Sequence, residues 1–265
     1  MPFGKVKLND GNEIPAIAFG TGSALRGSDV TSCILQALNV GFCHLDTAQR
    51  YGSESSVGEA IKESRLPHSE LFVTTKYNWG PIRQTLEESL EKLGRPYVDL
   101  YMPHFADIVS IHEWKEFEKI KQDRLASIGV SNYNLQQLQA LVKHAKIKPS
   151  VNQIALHPYN YRENKALLEY AARNDIIISA YSCLTPITQF PGGPVDAPVA
   201  AAATRRGVAP AQILLAWVRA KGAVIVAIST KAERLREFLD AGDIRPLTDD
   251  EIRAIDVAGA RGPPT

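Results

Sequence analysis

Short runs of β-branched and apolar residues alternate with amphipathic segments along most of the chain. Eight of these runs predict buried strands, at residues 17–19, 42–46, 71–76, 98–102, 126–130, 151–155, 176–181 and 224–228. The segments between them place apolar residues three or four positions apart, which is the period of an α-helix. Because parallel strands need long crossovers that are usually helical, this alternation predicts an α/β protein. Eight strand–helix units in one domain favour a (β/α)8 TIM barrel over an open sheet.

Turn and cap residues set the ends of the predicted helices. Ser28 before residues 29–39 and Gly41 after them predict a capped first helix. Three pairs have the spacing of a capping box: Ser110 with Glu113, Thr230 with Glu233, and Thr248 with Glu251. The other predicted helices span residues 54–62, 81–93, 135–144, 164–173, 199–205, 209–221 and 232–240.

The two ends of the sequence predict small additions to the barrel. Residues 6–8 and 13–15 flank the turn sequence Asn-Asp-Gly-Asn, which predicts a β-hairpin that closes the bottom of the barrel. Residues 262–265 predict a short C-terminal tail. Barrels of this kind commonly reach ~250 residues as one domain. We therefore expect a single barrel domain over residues 1–265.

Composition and charge argue against several classes of protein. A formal net charge of +1, with 45% apolar and 22% charged residues, favours neither a nucleic acid nor a membrane surface as a partner. Three scattered cysteines, Cys33, Cys43 and Cys183, indicate a reducing compartment, so we expect a cytoplasmic protein. No group of cysteines and histidines has zinc spacing, so we expect no metal. The expected partner is a small molecule, and the expected state is a monomer.

Polar residues close most of the predicted strands. They are Asp46, Lys76, His104, Ser131, Asn132, Gln153, Tyr181, Ser182 and Ser229. The active sites of α/β barrels lie at these C-terminal strand ends. Helix capping explains a serine at such a place, but it explains a lysine, a histidine and a glutamine poorly. The set therefore predicts a catalytic or binding site at the mouth of the barrel.

Five short motifs follow one another along the chain. They are HLDTAQRYGSE at 44–54, VTTK at 73–76, LYMPH at 100–104, IGVSNY at 128–133 and VNQ at 151–153. Together they resemble the aldo-keto reductase family, and the resemblance runs from about Lys5 to Asp256. Residues 75–80 and 229–234 are similar to the fungal α-keto amide and conjugated-polyketone reductases. The resemblance implies NADPH-dependent reduction of aldehydes or ketones, including α-keto esters, amides and diketones, to alcohols.

The resemblance implies a catalytic set of Tyr51, Lys76, Asp46 and His104. Carbonyl reduction needs a hydride on carbon and a proton on oxygen, and Tyr51 would donate the proton. A free tyrosine has a pKa of ~10 and donates poorly at neutral pH, so a neighbouring cation that favours the phenolate is needed. Lys76, paired with Asp46, would be that cation. His104 would hydrogen-bond the carbonyl oxygen and orient the substrate.

The resemblance also implies a set of residues for NADPH. The nicotinamide end would meet Ser131, Asn132, Gln153 and Tyr181, and the rest of the cofactor would meet Gly22, Ser182, Leu184, Ser229, Thr230, Lys231 and Arg234. Many members carry a lysine for the 2′-phosphate where this chain has Ile228, and Lys231 offers a cation from a shifted position. The similarity to NADPH-dependent fungal reductases still favours NADPH over NADH.

The substrate pocket is expected to be open. Ser110 follows His104 closely, and the chain stops soon after its last predicted helix, so two loops that usually cover the substrate in the family are short here. The residues expected to line the pocket are Phe19, Trp79, Phe105 and Tyr133.

Alternative functions remain at this stage. Residues 20–22 begin a dinucleotide-binding fingerprint, but Leu25 stands in place of its third glycine. Tyr161 and Lys165 have the spacing of the short-chain dehydrogenase pair, which also requires that glycine-rich turn. A non-catalytic, NADPH-binding regulatory barrel would keep the same four polar residues, so the sequence leaves it open.

Overall fold

The computed structural model describes residues 3–264, apart from the side chains of residues 24 and 123–126. It begins with an antiparallel hairpin of β1 (Lys5–Lys7) and β2 (Glu13–Pro15). Nine parallel strands follow within the described residues: β3 (Ile17–Gly20), β4 (His44–Asp46), β5 (Phe72–Tyr77), β6 (Val98–Pro103), β7 (Leu125–Ile128), β8 (Val130–Ser131), β9 (Val151–Ala155), β10 (Ile177–Tyr181) and β11 (Val224–Ala227).

The parallel sheet closes into a barrel because one strand position is shared by β7 and β8. β7 pairs with β6 at one edge of the sheet, and β8 pairs with β9 at the other. Only Gly129 separates them, and its N–H donates to the carbonyl oxygen of Tyr101 at 3.0 Å. A Cβ at Gly129 would lie 2.9 Å from the carbonyl oxygen of Val151, so the close approach of these strands requires glycine. The predicted strand at 126–130 is thus interrupted, and the barrel of eight strand positions is confirmed for the described chain.

The hairpin covers one end of this barrel. Leu8 and Ile14 are buried in one cluster with Phe72, Val151 and Val224, which are the first residues of β5, β9 and β11. Because all barrel strands run the same way, these residues mark the N-terminal end. The hairpin therefore closes the bottom, as predicted, and leaves the C-terminal end open for a site.

Helices surround the barrel and bury their apolar faces against it. They are α1 (Thr31–Val40), α2 (Glu54–Ser64), α3 (Ile82–Leu93), α4 (Trp114–Arg124), α5 (Leu135–His144), α6 (Pro158–Arg173), α7 (Thr185–Thr188), α8 (Asp196–Arg206), α9 (Pro210–Ala220), α10 (Ala232–Asp240) and α11 (Asp249–Gly259). α9 is deeply buried over residues 212–218, and it carries apolar residues on nearly every face. Within residues 3–264, none of the helices combines the length and apolar character needed to cross a lipid bilayer.

Two predicted helix caps are wrong. α1 begins at Thr31, and the Asp29 carboxylate accepts its N–H at 2.9 Å, so Ser28 lies too far upstream to cap. α10 begins directly after Lys231, which leaves Thr230 one residue outside the cap position. At α1 the neighbouring Asp29 accepts the hydrogen bond instead of Ser28, whereas Lys231 occupies the cap position of α10 without a side-chain cap hydrogen bond.

Other helix ends agree better with the sequence. Hydrogen bonds of the capping-box type join Ser110 to Glu113 and Thr248 to Glu251, as predicted. α6 begins at Pro158 rather than at the predicted residue 164. Proline suits the first turn of a helix, so Pro158 is the start signal that the sequence carries here.

Candidate active site

The ion pair predicted between Asp46 and Lys76 is present at the mouth of the barrel. Asp46 ends β4 and Lys76 lies on the neighbouring strand β5. The Lys76 Nζ donates to the Asp46 Oδ1 at 2.5 Å and to the Thr47 carbonyl oxygen at 2.9 Å. The two side chains are 0% and 3% exposed, so the pair is cut off from bulk water.

The charge of Lys76 is maintained by its neighbours. Burial disfavours an ammonium and works to lower the pKa of Lys76, but the charges and hydrogen bonds of Asp46 and Tyr51 outweigh it, so the pKa is raised above its ordinary value. A buried lysine that stays protonated places a fixed positive charge beside the Tyr51 ring, whose centroid lies 5.2 Å from Nζ.

Tyr51 is positioned by the chain that follows β4. It ends a short 3-10 turn at residues 49–51, and Gly52 then takes a left-handed conformation (φ 70°) before α2 begins. Its ring meets His104 edge to face, with 5.4 Å between the centroids. On the other side, the Cα of Gly22 packs so closely that an added Cβ would lie 2.9 Å from the Tyr51 Cζ and 3.1 Å from the hydroxyl oxygen.

His104 follows β6 and is neutral. Burial, and then the Lys76 ammonium, lower the pKa of His104 to about 3. Its ring stacks on Phe105 with a centroid distance of 4.6 Å and an interplanar angle of 10°. The buried Nδ1 has no hydrogen-bond partner within the described structure. A neutral imidazole beside a phenol can donate one hydrogen bond to an oxygen without adding a charge.

A polar network joins these residues to others that follow the strands. The Gln153 Nε2 donates to the second carboxylate oxygen of Asp46 at 2.8 Å. The Tyr181 hydroxyl donates to the Asn132 Oδ1 at 2.7 Å, and the Asn132 Nδ2 donates to the His104 carbonyl oxygen at 2.9 Å. Asn132 adopts φ 59°, a region that asparagine tolerates better than most residues. The sequence did not predict this network, because its bonds join strands far apart in the chain.

A central cavity of about 500 Å³ opens above this network. Predicted residues that line it are Gly22, Asp46, Tyr51, His104, Phe105, Ser131, Asn132, Gln153, Tyr181, Ser182 and Leu184. Lys76 lies beneath it. A second groove of about 320 Å³ shares Ile228 with the central cavity and is lined by Ser229, Thr230, Lys231 and Arg234. The predicted catalytic and cofactor residues therefore lie around two neighbouring openings that share one lining residue, and their roles stay predictions.

The second groove has the donor chemistry of a phosphate site. It combines the hydroxyls of Ser229 and Thr230 with the cations of Lys231 and Arg234 at the start of α10. In the described part of the chain, no carboxylate pairs with either cation. This donor set fits the adenosine phosphate of a dinucleotide such as NADPH.

The predicted substrate lining differs from the observed cavity at three positions. Phe105 lines the cavity as predicted. Phe19 is 0% exposed and packs against Phe42 on the helix side of β3. It faces away from the cavity because alternate residues of a strand point to opposite sides. Tyr133 is 5% exposed and Trp79 is 55% exposed, and neither residue lines the cavity. Their contact with a substrate stays a prediction without geometric support from the cavity.

Sequence reasoning missed several lining residues. Ser23 and Arg26 belong to the loop after β3, and Thr185, Thr188 and Gln189 belong to the segment after β10. Both segments follow C-terminal strand ends, so the rule that located Asp46 would have found them.

We expect Gly22→Ala to lower kcat/KM for carbonyl reduction about 100-fold, because it would displace Tyr51, the predicted proton donor, and displacements near 1 Å carry costs of that size. The new Cβ would push the Tyr51 ring and hydroxyl away from their positions. Gly22 has φ −83°, which alanine adopts freely, so the melting temperature should change little. Steady-state kinetics and a thermal melt check this together, and equal losses of activity and folded protein would contradict it.

Comparison with known proteins finds one family along most of the chain. Residues 16–186 match the Aldo/keto reductase family. An NAD/NADP-dependent indole-3-acetaldehyde reductase from Schizosaccharomyces pombe is 37% identical over 246 residues, covering 87% of each chain. A methylglyoxal reductase from Escherichia coli is 34% identical, covering 97% of this chain and 95% of its own.

The fold is shared with solved structures as well. An aldo-keto reductase from Bombyx mori, solved in complex with NADP, superposes with a TM-score of 0.87 at 32% identity. The match covers 96% of this chain and 92% of that one. The chain belongs to the aldo/keto reductase family.

Proposed function

We propose that this protein reduces an aldehyde or ketone to an alcohol with NADPH, using Tyr51 as the proton donor. One observation carries the proposal: a phenol, a buried ammonium and a neutral imidazole meet at one point of the barrel mouth. Each of these groups matches a need of carbonyl reduction, and family membership points to the same reaction.

The residues divide the work of the reaction. Bound NADPH would supply the hydride to the carbonyl carbon. Tyr51 transfers its proton to the carbonyl oxygen, and Lys76 stabilises the phenolate that remains. Asp46 holds Lys76 in place and charged. His104, which is neutral above a pH of about 3, donates a hydrogen bond to the carbonyl oxygen and orients it.

We place NADPH along the path from the central cavity to the second groove. Ser131, Asn132 and Gln153 would hold the nicotinamide carboxamide, and the Tyr181 ring would stack on the nicotinamide. Gly22, Ser182 and Leu184 would approach the pyrophosphate. Ser229, Thr230, Lys231 and Arg234 would hold the 2′-phosphate, which distinguishes NADPH from NADH.

Arg234→Gln should raise the KM for NADPH about tenfold, a change of about 1.4 kcal/mol, and leave the KM for NADH within a factor of two. The reason is that only NADPH carries the phosphate that the guanidinium would bind. Arg236→Gln is the matched control, because Arg236 is an exposed arginine of the same helix outside the groove. Equal changes for both cofactors in the Arg234 variant would contradict the assignment.

The substrate class is tested with a carbonyl panel run with NADPH and NADH side by side. The panel should include indole-3-acetaldehyde and methylglyoxal, which the names of two relatives suggest. It should also include an α-keto ester, an α-keto amide and a diketone. Turnover of any of them supports the proposal. Tight NADPH binding without turnover of any of them would favour the regulatory barrel instead.

Other expectations stay predictions. A cytoplasmic location rests on the three scattered cysteines. The monomeric state and a single domain over residues 1–265 rest on sequence length and pattern. Size-exclusion chromatography with light scattering tests the monomer directly.

A further inference from the structure

Arg50 is an exposed residue beside Phe105, which lines the central cavity, and it is next in sequence to the proposed proton donor. Its guanidinium lies over the Phe105 ring, 5.6 Å from the centroid. Phe105 in turn stacks on His104 and lines the cavity. These three side chains form a column that runs from the proposed carbonyl site to the rim.

The backbone under Arg50 is held in place. The Gln49 Oε1 accepts hydrogen bonds from the backbone N–H groups of Asn78 and Trp79 at 2.9 and 3.1 Å. The Gln49 Nε2 donates to the Trp79 carbonyl oxygen at 3.2 Å. Because residue 49 is anchored to the loop after β5, the neighbouring arginine presents its charge from a defined position.

Arg26 adds a second positive charge to the same opening. It lines the central cavity, and its loop is tied to the site by the bond from Gly27 N–H to the Tyr51 carbonyl oxygen at 2.9 Å. Both guanidiniums act on His104, since each contributes to lowering its pKa, after burial and Lys76. Two cations thus lie within electrostatic reach of the proposed carbonyl site.

Across the described residues, neither Arg26 nor Arg50 has a carboxylate within ion-pair distance. Asp46, which lines the cavity, accepts hydrogen bonds from Lys76 and Gln153 on its two carboxylate oxygens. Two cations without a paired carboxylate concentrate anions near this opening, and a guanidinium binds a carboxylate through two parallel hydrogen bonds.

We infer that Arg50, in the field of Arg26, is a specificity-determining residue that binds the carboxylate of an anionic carbonyl substrate. The inference rests on the proposed reductase function and names its substrate class: aldehydes or ketones that carry a carboxylate at the end remote from the carbonyl group. The carbonyl group would reach Tyr51 and His104, while the carboxylate would remain at the rim beside Arg50.

The test compares 4-carboxybenzaldehyde with its methyl ester, which replaces the carboxylate by a neutral group that is one methyl larger, with NADPH. We expect the unmodified protein to favour the acid by tenfold or more in kcat/KM, about 1.4 kcal/mol. Arg50→Gln should lower this acid-to-ester ratio about tenfold, Arg50→Glu should lower it further, and Arg50→Lys should keep part of it. If Arg50 had a purely structural role, its substitution would lower kcat/KM for the acid and for the ester together and leave their ratio unchanged.

The control is Arg253→Gln, which removes one positive charge from α11 outside the cavity and should leave the ratio as it is. An unchanged ratio in Arg50→Gln, with both aldehydes still reduced, overturns this inference alone. Failure of the unmodified protein to reduce either aldehyde, or any member of the carbonyl panel, overturns the reductase function and this inference with it.

Discussion

Tyr51→Phe should reduce kcat by a factor of about 100 to 10,000, the contribution of a positioned general acid. The variant removes one oxygen and keeps the ring that meets His104 at 5.4 Å and packs on Gly22. NADPH should therefore still bind, with a Kd within about threefold of the original value, because no cofactor contact is assigned to the hydroxyl. Stopped-flow kinetics give kcat, and quenching of protein fluorescence gives the Kd.

The matched control is Tyr170→Phe on the outer helix α6, which removes a hydroxyl at a distance from the cavity. It should retain full activity. Undiminished turnover in Tyr51→Phe would refute the assignment of the proton donor. Loss of both turnover and NADPH binding would instead indicate that the cavity had collapsed.

The sequence predicted the barrel because its signal is periodic and local. Each strand–helix unit carries its own apolar pattern, so small errors at the ends do not alter the architecture. The starts of α1 and α10 show where such reasoning fails. Asp29 competes with Ser28, and Lys231 takes the position expected of Thr230, so a difference of one or two residues decides the cap.

The site was predicted only in part, for a related reason. Asp46 and Lys76 lie near the C-terminal ends of their strands and His104 directly follows one, and the barrel brings all these ends together whatever their order. The bond from Gln153 to Asp46 joins residues 107 positions apart, and no local pattern reports such a contact. Phe19, a predicted lining residue, does not line the observed cavity, because one step along a strand moves a side chain to the opposite face.

Asp46→Asn should lower the free energy of unfolding at pH 7 by about 3 kcal/mol, because it leaves the fully buried Lys76 ammonium without its counter-charge. Activity should be lost as well. Without Asp46, the buried Lys76 releases its proton more readily, and a neutral lysine cannot stabilise the Tyr51 phenolate. Urea denaturation measures the stability. Glu116→Gln is the control, because its ion pair with Lys119 is half exposed and should contribute less than about 1 kcal/mol.

The stability difference between the unmodified protein and Asp46→Asn should depend on pH. In the unmodified protein the pKa of Lys76 is raised above its ordinary 10.5, so its contribution to stability is complete below pH 10.5 and is lost only as pH rises through the folded-state value. Without Asp46, burial lowers the pKa of Lys76 below that of the unfolded chain. The variant should then regain stability as pH rises from 7 to 10, and the gap to the unmodified protein should narrow. A gap that stays constant over this range would mean that Lys76 remains protonated in the folded variant, with a pKa close to that of the unfolded chain.

The double variant Asp46→Asn, Lys76→Met distinguishes a structural role of the buried ion pair from a catalytic role. Removing both charges relieves the unpaired ammonium, so the double variant should be more stable than Asp46→Asn alone at pH 7. It should be as inactive as the single variant, because nothing then favours the Tyr51 phenolate. A more stable but equally inactive protein would mean that this buried pair is kept for the acidity of the neighbouring phenol, whereas a double variant less stable than the single one would make the pair a structural element of the barrel.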